Sequence, residues 1–191
     1  MAILKTGPIR PQSGRRLIAE YTQLKSDPDS SWFEIDPEPA NFIPFADGDV
    51  EYFKKWEITI YGFKDTIYEG YVLKADIYFP TDYPLSPPRV MFTTKMYHPN
   101  IYNDGRVCIS ILHTAQTDPL SGELDTEQWT PVLSVRTILL SIMLLLNEPN
   151  PDSPANLDAS LHFRRDRKDY EEYVKMKVLS TYKKKEEKST C

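Results

Sequence analysis

The feature that most constrains this fold is a set of short segments in which apolar and polar residues alternate. One covers residues 56–61, a second 73–79, and a third, shorter one contains Val90 and Phe92. Alternation with a period of two predicts β-strands that bury one face, and the turns between these segments suit an antiparallel meander. Something else in the chain must therefore cover one face of a small sheet.

Helical patterns flank these strands. Ser13 is a candidate cap for a helix over residues 14–25, and a second helix is predicted from Ser134 to about Leu146. Ser153, followed by proline, has the form of a third helix start, and a charged helix is expected over 166–184. The order helix, strands, helices predicts an α+β fold.

The second predicted helix is apolar on almost every side, because Leu140, Met143 and Leu144 lie opposite its main apolar face. Such a helix is either central to the core or covered by a partner.

The length of 191 residues fits one domain with an adequate core. We assign residues 1–12 to a flexible N-terminal arm, 13–184 to a single catalytic domain and 185–191 to a charged C-terminal tail. The net charge of -5 argues against a nucleic-acid binder. No apolar run is long enough to span a membrane.

Only two cysteines occur, Cys108 and the terminal Cys191, so a disulfide framework is not expected. The first residues also lack the apolar region of a signal peptide. Both features favour a reducing compartment, cytoplasmic and/or nuclear.

Cys108 is the candidate nucleophile, since it follows the turn signal Asn-Asp-Gly at 103–105. A lone cysteine is also often a small buried hydrophobe. A cysteine protease would need a nearby base such as His98 or His113, and neither is placed by its neighbours. Metal binding has no support, because the histidines and cysteines lack ligand spacing.

The segment between Cys108 and Trp129 is acidic and contains no lysine or arginine; its carboxylates are Asp118, Glu123, Asp125 and Glu127. They would attract a basic acceptor surface, an effect that salt weakens. The alternative is an ordinary solvated loop.

Several motifs occur in an order that resembles the ubiquitin-conjugating enzymes. HPNI at 98–101 precedes Cys108, and FPTDYP at 79–84 lies upstream; WTP at 129–131 and EPNP at 148–151 follow. The resemblance covers roughly residues 13–165. The long spacing from Cys108 to Trp129 is similar to the subfamily with a long acidic insertion after the catalytic cysteine.

The resemblance implies a four-stranded antiparallel meander sheet with an N-terminal helix, a central helix and C-terminal helices. It also implies that Cys108 accepts ubiquitin as a thioester from an activating enzyme. A RING-type ligase then helps to transfer it to lysines of protein substrates or of ubiquitin, building degradation-type polyubiquitin chains. The activating enzyme uses the ATP, so no cofactor or metal is expected on this chain.

The resemblance also assigns roles around the thiol. Asn100 is expected to donate to the oxyanion, or to hold its loop through an Asx-type bond, or both. His98 is expected to be scaffolding. Ser110 and Ser153 stand where many relatives carry aspartate, which leaves the acids of the insertion to supply negative charge.

Partner surfaces follow from the same resemblance. Arg15 and Arg16 on the first helix are expected to meet the activating enzyme. The expected ligase contacts are Leu85, Pro131 and Val132, and the expected donor-ubiquitin contacts are Leu140 and Leu144. Two alternatives stay open: a conjugating enzyme for another ubiquitin-like modifier, and a non-catalytic ubiquitin-binding variant, which the presence of Cys108 opposes.

Overall fold

A computed structural model of the chain describes residues 11–36, 55–114 and 127–182. Its centre is one four-stranded sheet in the order β1-β2-β3-β4, in which every neighbouring pair is antiparallel. The strands are β1 (Phe33–Asp36), β2 (Lys55–Tyr61), β3 (Val72–Tyr78) and β4 (Arg89–Phe92). The predicted α+β meander is confirmed. The alternation in the sequence marks β2, β3 and β4, while β1 was implied only by the family resemblance.

The helices follow the expected order along the chain. They are α1 (Pro11–Lys25), α2 (Val135–Asn147), α3 (Leu157–Arg165) and α4 (Arg167–Tyr173), the last continued by a π-helical turn over Val174–Val178. A short 3₁₀ turn, Ser110–Leu112, follows the candidate thiol. Within the three described ranges, no helix has both the length and the apolar character needed to cross a bilayer.

Helix α1 starts earlier than predicted. Its first residue is Pro11, which suits a first helical position because proline lacks the N–H that would go unpaired there. Ser13 is therefore inside the helix and is not its cap; its buried hydroxyl instead donates to the Thr81 carbonyl at 3.2 Å. Residues 1–10 of the predicted arm lie outside the described residues.

Helix α2 agrees with its prediction. Ser134 caps it by accepting a hydrogen bond from the Thr137 amide, and the helix runs through the core. Leu140 is half-buried and Leu144 is 61% exposed, so one strip of the helix stays accessible. The side chains that it buries are Val135, Ile138, Leu139, Ile142, Leu145 and Leu146.

Helix α3 starts later than predicted, at Leu157, with Asn156 rather than Ser153 as its cap. The reason lies in the preceding backbone: the Ala155 and Asn156 amides both donate to the Pro99 carbonyl, at 2.8 and 2.9 Å. These bonds hold the segment before α3 extended against the HPNI turn.

The final helix is shorter than the predicted 166–184. It begins close to the predicted position, with Asp166 as the cap of α4, but the helical path ends at Val178. Leu179 is fully buried and the Tyr182 hydroxyl accepts the Lys95 amide at 2.6 Å, so the chain turns back toward the sheet. Residues 183–191, with the predicted tail, lie outside the described residues.

Candidate active site

Cys108 is a half-buried cysteine on a rigid support. Its amide donates to the Asn100 carbonyl at 2.9 Å, and the preceding Val107 amide donates to the Val90 carbonyl of β4 at 3.0 Å. The thiol is thus fixed by main-chain bonds to both the HPNI turn and the edge of the sheet. A partly accessible thiol held in this way suits a nucleophile better than a core side chain.

The turn before the thiol requires a glycine. Gly105 has φ +91, and a Cβ there would lie 2.2 Å from the Phe92 carbonyl oxygen. Only glycine combines that backbone conformation with so close an approach. The Asn-Asp-Gly signal therefore does form a turn, which connects the HPNI segment to Cys108.

His98, the first residue of the HPNI turn, is fully buried. Its Nε2–H donates to the Leu145 carbonyl at 3.0 Å, and its Nδ1 accepts the Asn100 amide at 3.0 Å. These partners require the neutral ring, and burial lowers the pKa of His98 to about 4. With both nitrogens engaged, His98 links the turn to α2 and is not available as a base.

Asn100 is also buried, and its side chain holds the loop that follows α2. Its Nδ2 donates to the carbonyls of Asn150 at 2.7 Å and Ser153 at 3.1 Å, while its Oδ1 accepts the Asn150 amide at 2.8 Å. These bonds hold a loop that is distant in sequence, which differs from the predicted Asx-type bond within the loop of Asn100 itself. The oxyanion role stays a prediction, and it requires one amide hydrogen to leave a carbonyl that it now contacts.

The remaining predicted site residues differ in position. Ser110 is half-buried and opens the 3₁₀ turn after Cys108, whereas Ser153 is exposed on the loop held by Asn100. Glu127 is exposed at the end of the acidic insertion. Three predicted acids lie outside the described residues: Asp118, Glu123 and Asp125.

The two ends of the insertion meet close to the thiol. Thr114 pairs with Trp129 in a parallel bridge, and the Trp129 amide donates to the His113 carbonyl at 2.8 Å. The His113 ring comes from this stem, with Nε2 4.0 Å from Cys108 Sγ. Sequence spacing could not place His113, because the contact depends on how the loop closes.

Tyr102 is a site residue that sequence reasoning missed. Its hydroxyl lies 3.9 Å from Cys108 Sγ, and its side chain is partly exposed. The available signal was an aromatic hydroxyl in the same turn as the cysteine, separated from it by a tight Asn-Asp-Gly reversal.

The predicted partner residues divide into exposed and internal ones. Leu85 is 63% and Val132 85% exposed, and Pro131 and Arg15 are also exposed. The loops carrying Leu85 and Val132 are joined where the Trp129 indole donates to the Pro84 carbonyl at 2.8 Å.

Arg16 is engaged within the molecule. Its Nε donates to Glu20, and its two terminal nitrogens donate to the carbonyls of Pro131 at 3.2 Å and Leu133 at 2.8 Å. Glu20 is buried and also accepts from the Tyr83 hydroxyl and the Val135 amide, both at 2.7 Å. Arg16 therefore ties α1 to the loop before α2.

Within the described part of the chain, no group of three histidine, cysteine, aspartate or glutamate side chains is arranged to hold a metal ion.

Comparison with known proteins agrees with this geometry. A family model for ubiquitin-conjugating enzymes matches residues 16–178. Human ubiquitin-conjugating enzyme E2 G2 is 47% identical over 164 residues, covering 86% of this chain and 93% of that protein. A ubiquitin-conjugating enzyme E2 of African swine fever virus is 43% identical over 175 residues, covering 89% of this chain and 72% of the viral protein.

A third relative, ubiquitin-conjugating enzyme E2 7 of Arabidopsis thaliana, is 50% identical over 120 residues, covering 63% of this chain and 72% of that protein. The residues that the family model matches include the HPNI turn, the thiol and helices α2 and α3. The chain therefore belongs to the ubiquitin-conjugating enzyme family, whose members are cysteine-thioester transferases.

Proposed function

We propose that Cys108 carries ubiquitin as a thioester and passes it to a lysine of a substrate or of another ubiquitin. The observation that carries this proposal is the thiol itself: it is partly accessible and fixed by main-chain bonds beside Tyr102 and His113. A nucleophile held in one position lowers the entropic cost of reaching the transition state.

The proposed chemistry has two steps. In the first, the Cys108 thiolate attacks the thioester that joins ubiquitin's terminal glycine to the activating enzyme, whose thiol leaves. In the second, a neutral lysine amine attacks the Cys108 thioester; a C–N bond forms, the C–S bond breaks, and the electron pair returns to Sγ. The lysine gives up its proton to solvent or to a nearby base.

The neighbours of the thiol suit different parts of this reaction. Buried His98 has both ring nitrogens engaged and therefore does not itself act as a base on the stored thioester. We keep Asn100 as the proposed oxyanion donor, with the longer of its two donated bonds, to the Ser153 carbonyl at 3.1 Å, as the one that would be released. Ser110 and Ser153 leave the site without local carboxylates at those positions.

We assign the acidic insertion to acceptor selection. Its two ends meet where Thr114 pairs with Trp129, next to His113, whose Nε2 lies 4.0 Å from Cys108 Sγ. Acidic side chains there would favour a lysine-bearing surface, and degradation-type polyubiquitin chains would be the product.

The partners proposed for this reaction are ubiquitin, an activating enzyme that uses ATP, a RING-type ligase and protein substrates. No cofactor on this chain and no nucleic acid takes part in the proposed steps. Exposed Leu144 and half-buried Leu140 are the proposed donor-ubiquitin contacts. A cysteine nucleophile must stay reduced, which supports a cytoplasmic and/or nuclear location.

The test mixes the chain with activating enzyme, ATP and ubiquitin. We expect an adduct that thiol reductants remove, that Cys108→Ala abolishes and that Cys191→Ala retains. Cys108→Ser should form an oxygen ester that resists those reductants. Charging with a different ubiquitin-like modifier and not with ubiquitin would favour the alternative enzyme, and no adduct with any modifier would favour the non-catalytic variant.

A second experiment tests the insertion. Deleting residues 115–127 should spare thioester formation and impair chain building, because the stem residues that contact the thiol lie before the deletion. Normal chain assembly by the deletion variant would contradict the assigned role.

A further inference from the structure

Tyr102 offers a hydroxyl to the sulphur that the proposed reaction uses twice. The hydroxyl oxygen lies 3.9 Å from Cys108 Sγ. The pKa of Tyr102 is raised, first by negative charge on Cys108 and then by partial burial. Tyr102 therefore keeps its proton near neutral pH and acts as a donor rather than as a base.

The Tyr102 ring is held in place by Arg106. The guanidinium carbon of Arg106 lies 4.8 Å from the ring centroid, within the range of a cation–π contact. The main chain supports this pairing, because the Tyr102 amide donates to the Arg106 carbonyl at 2.9 Å across the turn. Both side chains thus project from facing positions of one tight reversal.

Arg106 is in turn fixed by Asp104. Its Nε donates to Asp104 Oδ2 at 2.6 Å, and its amide donates to Asp104 Oδ1 at 3.1 Å. One carboxylate thus bonds both the head and the backbone of Arg106. The side chains of Asp104, Arg106 and Tyr102 form a continuous series that ends at the thiol.

We propose that Arg106, braced by Asp104, is a positioning residue that holds the Tyr102 hydroxyl as a hydrogen-bond donor to the Cys108 sulphur. When lysine attacks the thioester, the C–S bond breaks and its electron pair moves to Sγ. The Tyr102 O–H donates to that developing thiolate and keeps its own proton, so the leaving group is stabilised where charge appears. This inference rests on the proposed thioester role of Cys108.

The first experiment needs no ubiquitin. The rate at which iodoacetamide alkylates Cys108 is measured against pH in a Cys191→Ala background, which reports the pKa of the thiol. Tyr102→Phe keeps the ring and removes the donor, so the thiol pKa should rise. Arg106→Gln should raise it as well, but should add little once Tyr102→Phe is present.

The second experiment measures discharge of the pre-formed ubiquitin thioester to free lysine in a single turnover. We expect Tyr102→Phe to slow discharge about tenfold and Arg106→Gln about three- to tenfold, the range of one charge-assisted hydrogen bond or cation–π contact. Arg106→Lys keeps a cation over the ring and should fall between Arg106→Gln and the unmodified chain. Arg165→Gln, an exposed change of equal charge on α3, is the matched control and should change the rate less than about twofold.

Combining Arg106→Gln with Tyr102→Phe tests whether Arg106 acts through Tyr102. If Arg106 acts through Tyr102, Arg106→Gln slows discharge in the unmodified chain and changes it less than about twofold in the Tyr102→Phe background. An equal effect in both backgrounds would mean that the Arg106 charge acts directly on the sulphur and would overturn the proposal. Failure of the unmodified chain to accept ubiquitin would overturn the proposed function, while the alkylation series would still test the Arg106–Tyr102 coupling.

Discussion

The partner-facing loops and the thiol-bearing turn are each held by a buried polar network, and the two networks differ in charge. On the partner side, the carboxylate of Glu20 accepts from Arg16, Tyr83 and the first amide of α2. On the thiol side, neutral His98 and neutral Asn100 are satisfied mostly by backbone groups. We call these the partner-side network (Arg16, Glu20, Tyr83) and the thiol-side network (His98, Asn100).

The difference follows from what each network has to hold. A carboxylate at the N-terminus of α2 complements the helix dipole and gathers several donors, so it joins α1, a loop and α2 at one point. A buried charge beneath Cys108 would instead bias the thiolate and the oxyanion. Neutral partners fix the turn without adding a charge to the reacting groups, at the cost of sensitivity to acid.

The largest expected effect comes from removing the charged centre. Glu20→Ala leaves the Tyr83 hydroxyl, the Val135 amide and Arg16 without their acceptor, and should lower the free energy of unfolding by about 3–5 kcal/mol. Glu20→Gln keeps one acceptor oxygen and should cost less. The measurement is urea unfolding, with exposed Glu172→Ala as the control, expected within about 0.5 kcal/mol of the unmodified chain.

Acid should affect the thiol-side network specifically. His98 has a folded-state pKa of about 4 and an ordinary value of 6.5, so the unfolded chain takes up a proton first as pH falls. The associated stability is complete above pH 6.5 and is lost progressively toward pH 4, in total about 3 kcal/mol.

The check is urea unfolding at several pH values for the unmodified chain and for His98→Asn. The variant should be less stable at pH 7 and should lose less stability between pH 6.5 and 4. Parallel pH profiles for the two proteins would contradict the assignment of a buried neutral imidazole.

Two variants distinguish a structural role of Asn100, holding the loop after α2, from a catalytic role as oxyanion donor. Asn100→Ala removes its bonds to the loop after α2, and Asn156→Ala loosens the same loop by removing the bond to Asn103 and the cap of α3. If Asn100 also donates to the oxyanion, its loss should slow lysine discharge about a hundredfold, equivalent to about 2.7 kcal/mol. Similar slowing in both variants, at similar loss of stability, would leave Asn100 with the structural role alone.

Prediction from the sequence succeeded for local structure and failed for contacts between residues that are distant in sequence. Alternation gave β2 to β4 because a half-buried strand has to repeat every two residues, and Ser134 predicted the start of α2 because a helix needs a local cap. The predicted start of α3 was wrong because the backbone before the helix is held by the carbonyl of Pro99, a residue far away in sequence. Local patterns carry local structure and miss bonds that form only after folding.

The candidate site likewise contains residues that a sequence motif predicted and residues that only the folded chain brings to the thiol. Cys108, His98 and Asn100 lie together as their shared motif suggested, and main-chain bonds explain how. Tyr102 and His113 were not expected next to the thiol, because their approach depends on a reversal at Gly105 and on closure of the insertion at Trp129. No spacing rule encodes either event.

The smallest expected effect distinguishes a contact residue from a positioning residue at Arg16. Arg16→Lys keeps the positive charge and loses the planar fork that reaches Glu20, Pro131 and Leu133 together, so unfolding should be easier by about 1 kcal/mol. If Arg16 served partners through its charge, ligase binding would be unchanged in this variant. Because it holds the loop that carries Val132, we expect binding to a RING-type ligase to weaken about threefold despite the retained charge, a loss of less than about 1 kcal/mol. Arg15→Lys, an equally conservative change at the exposed neighbour, should alter neither quantity, and equal weakening of ligase binding by both variants would contradict a positioning role that belongs to Arg16 alone.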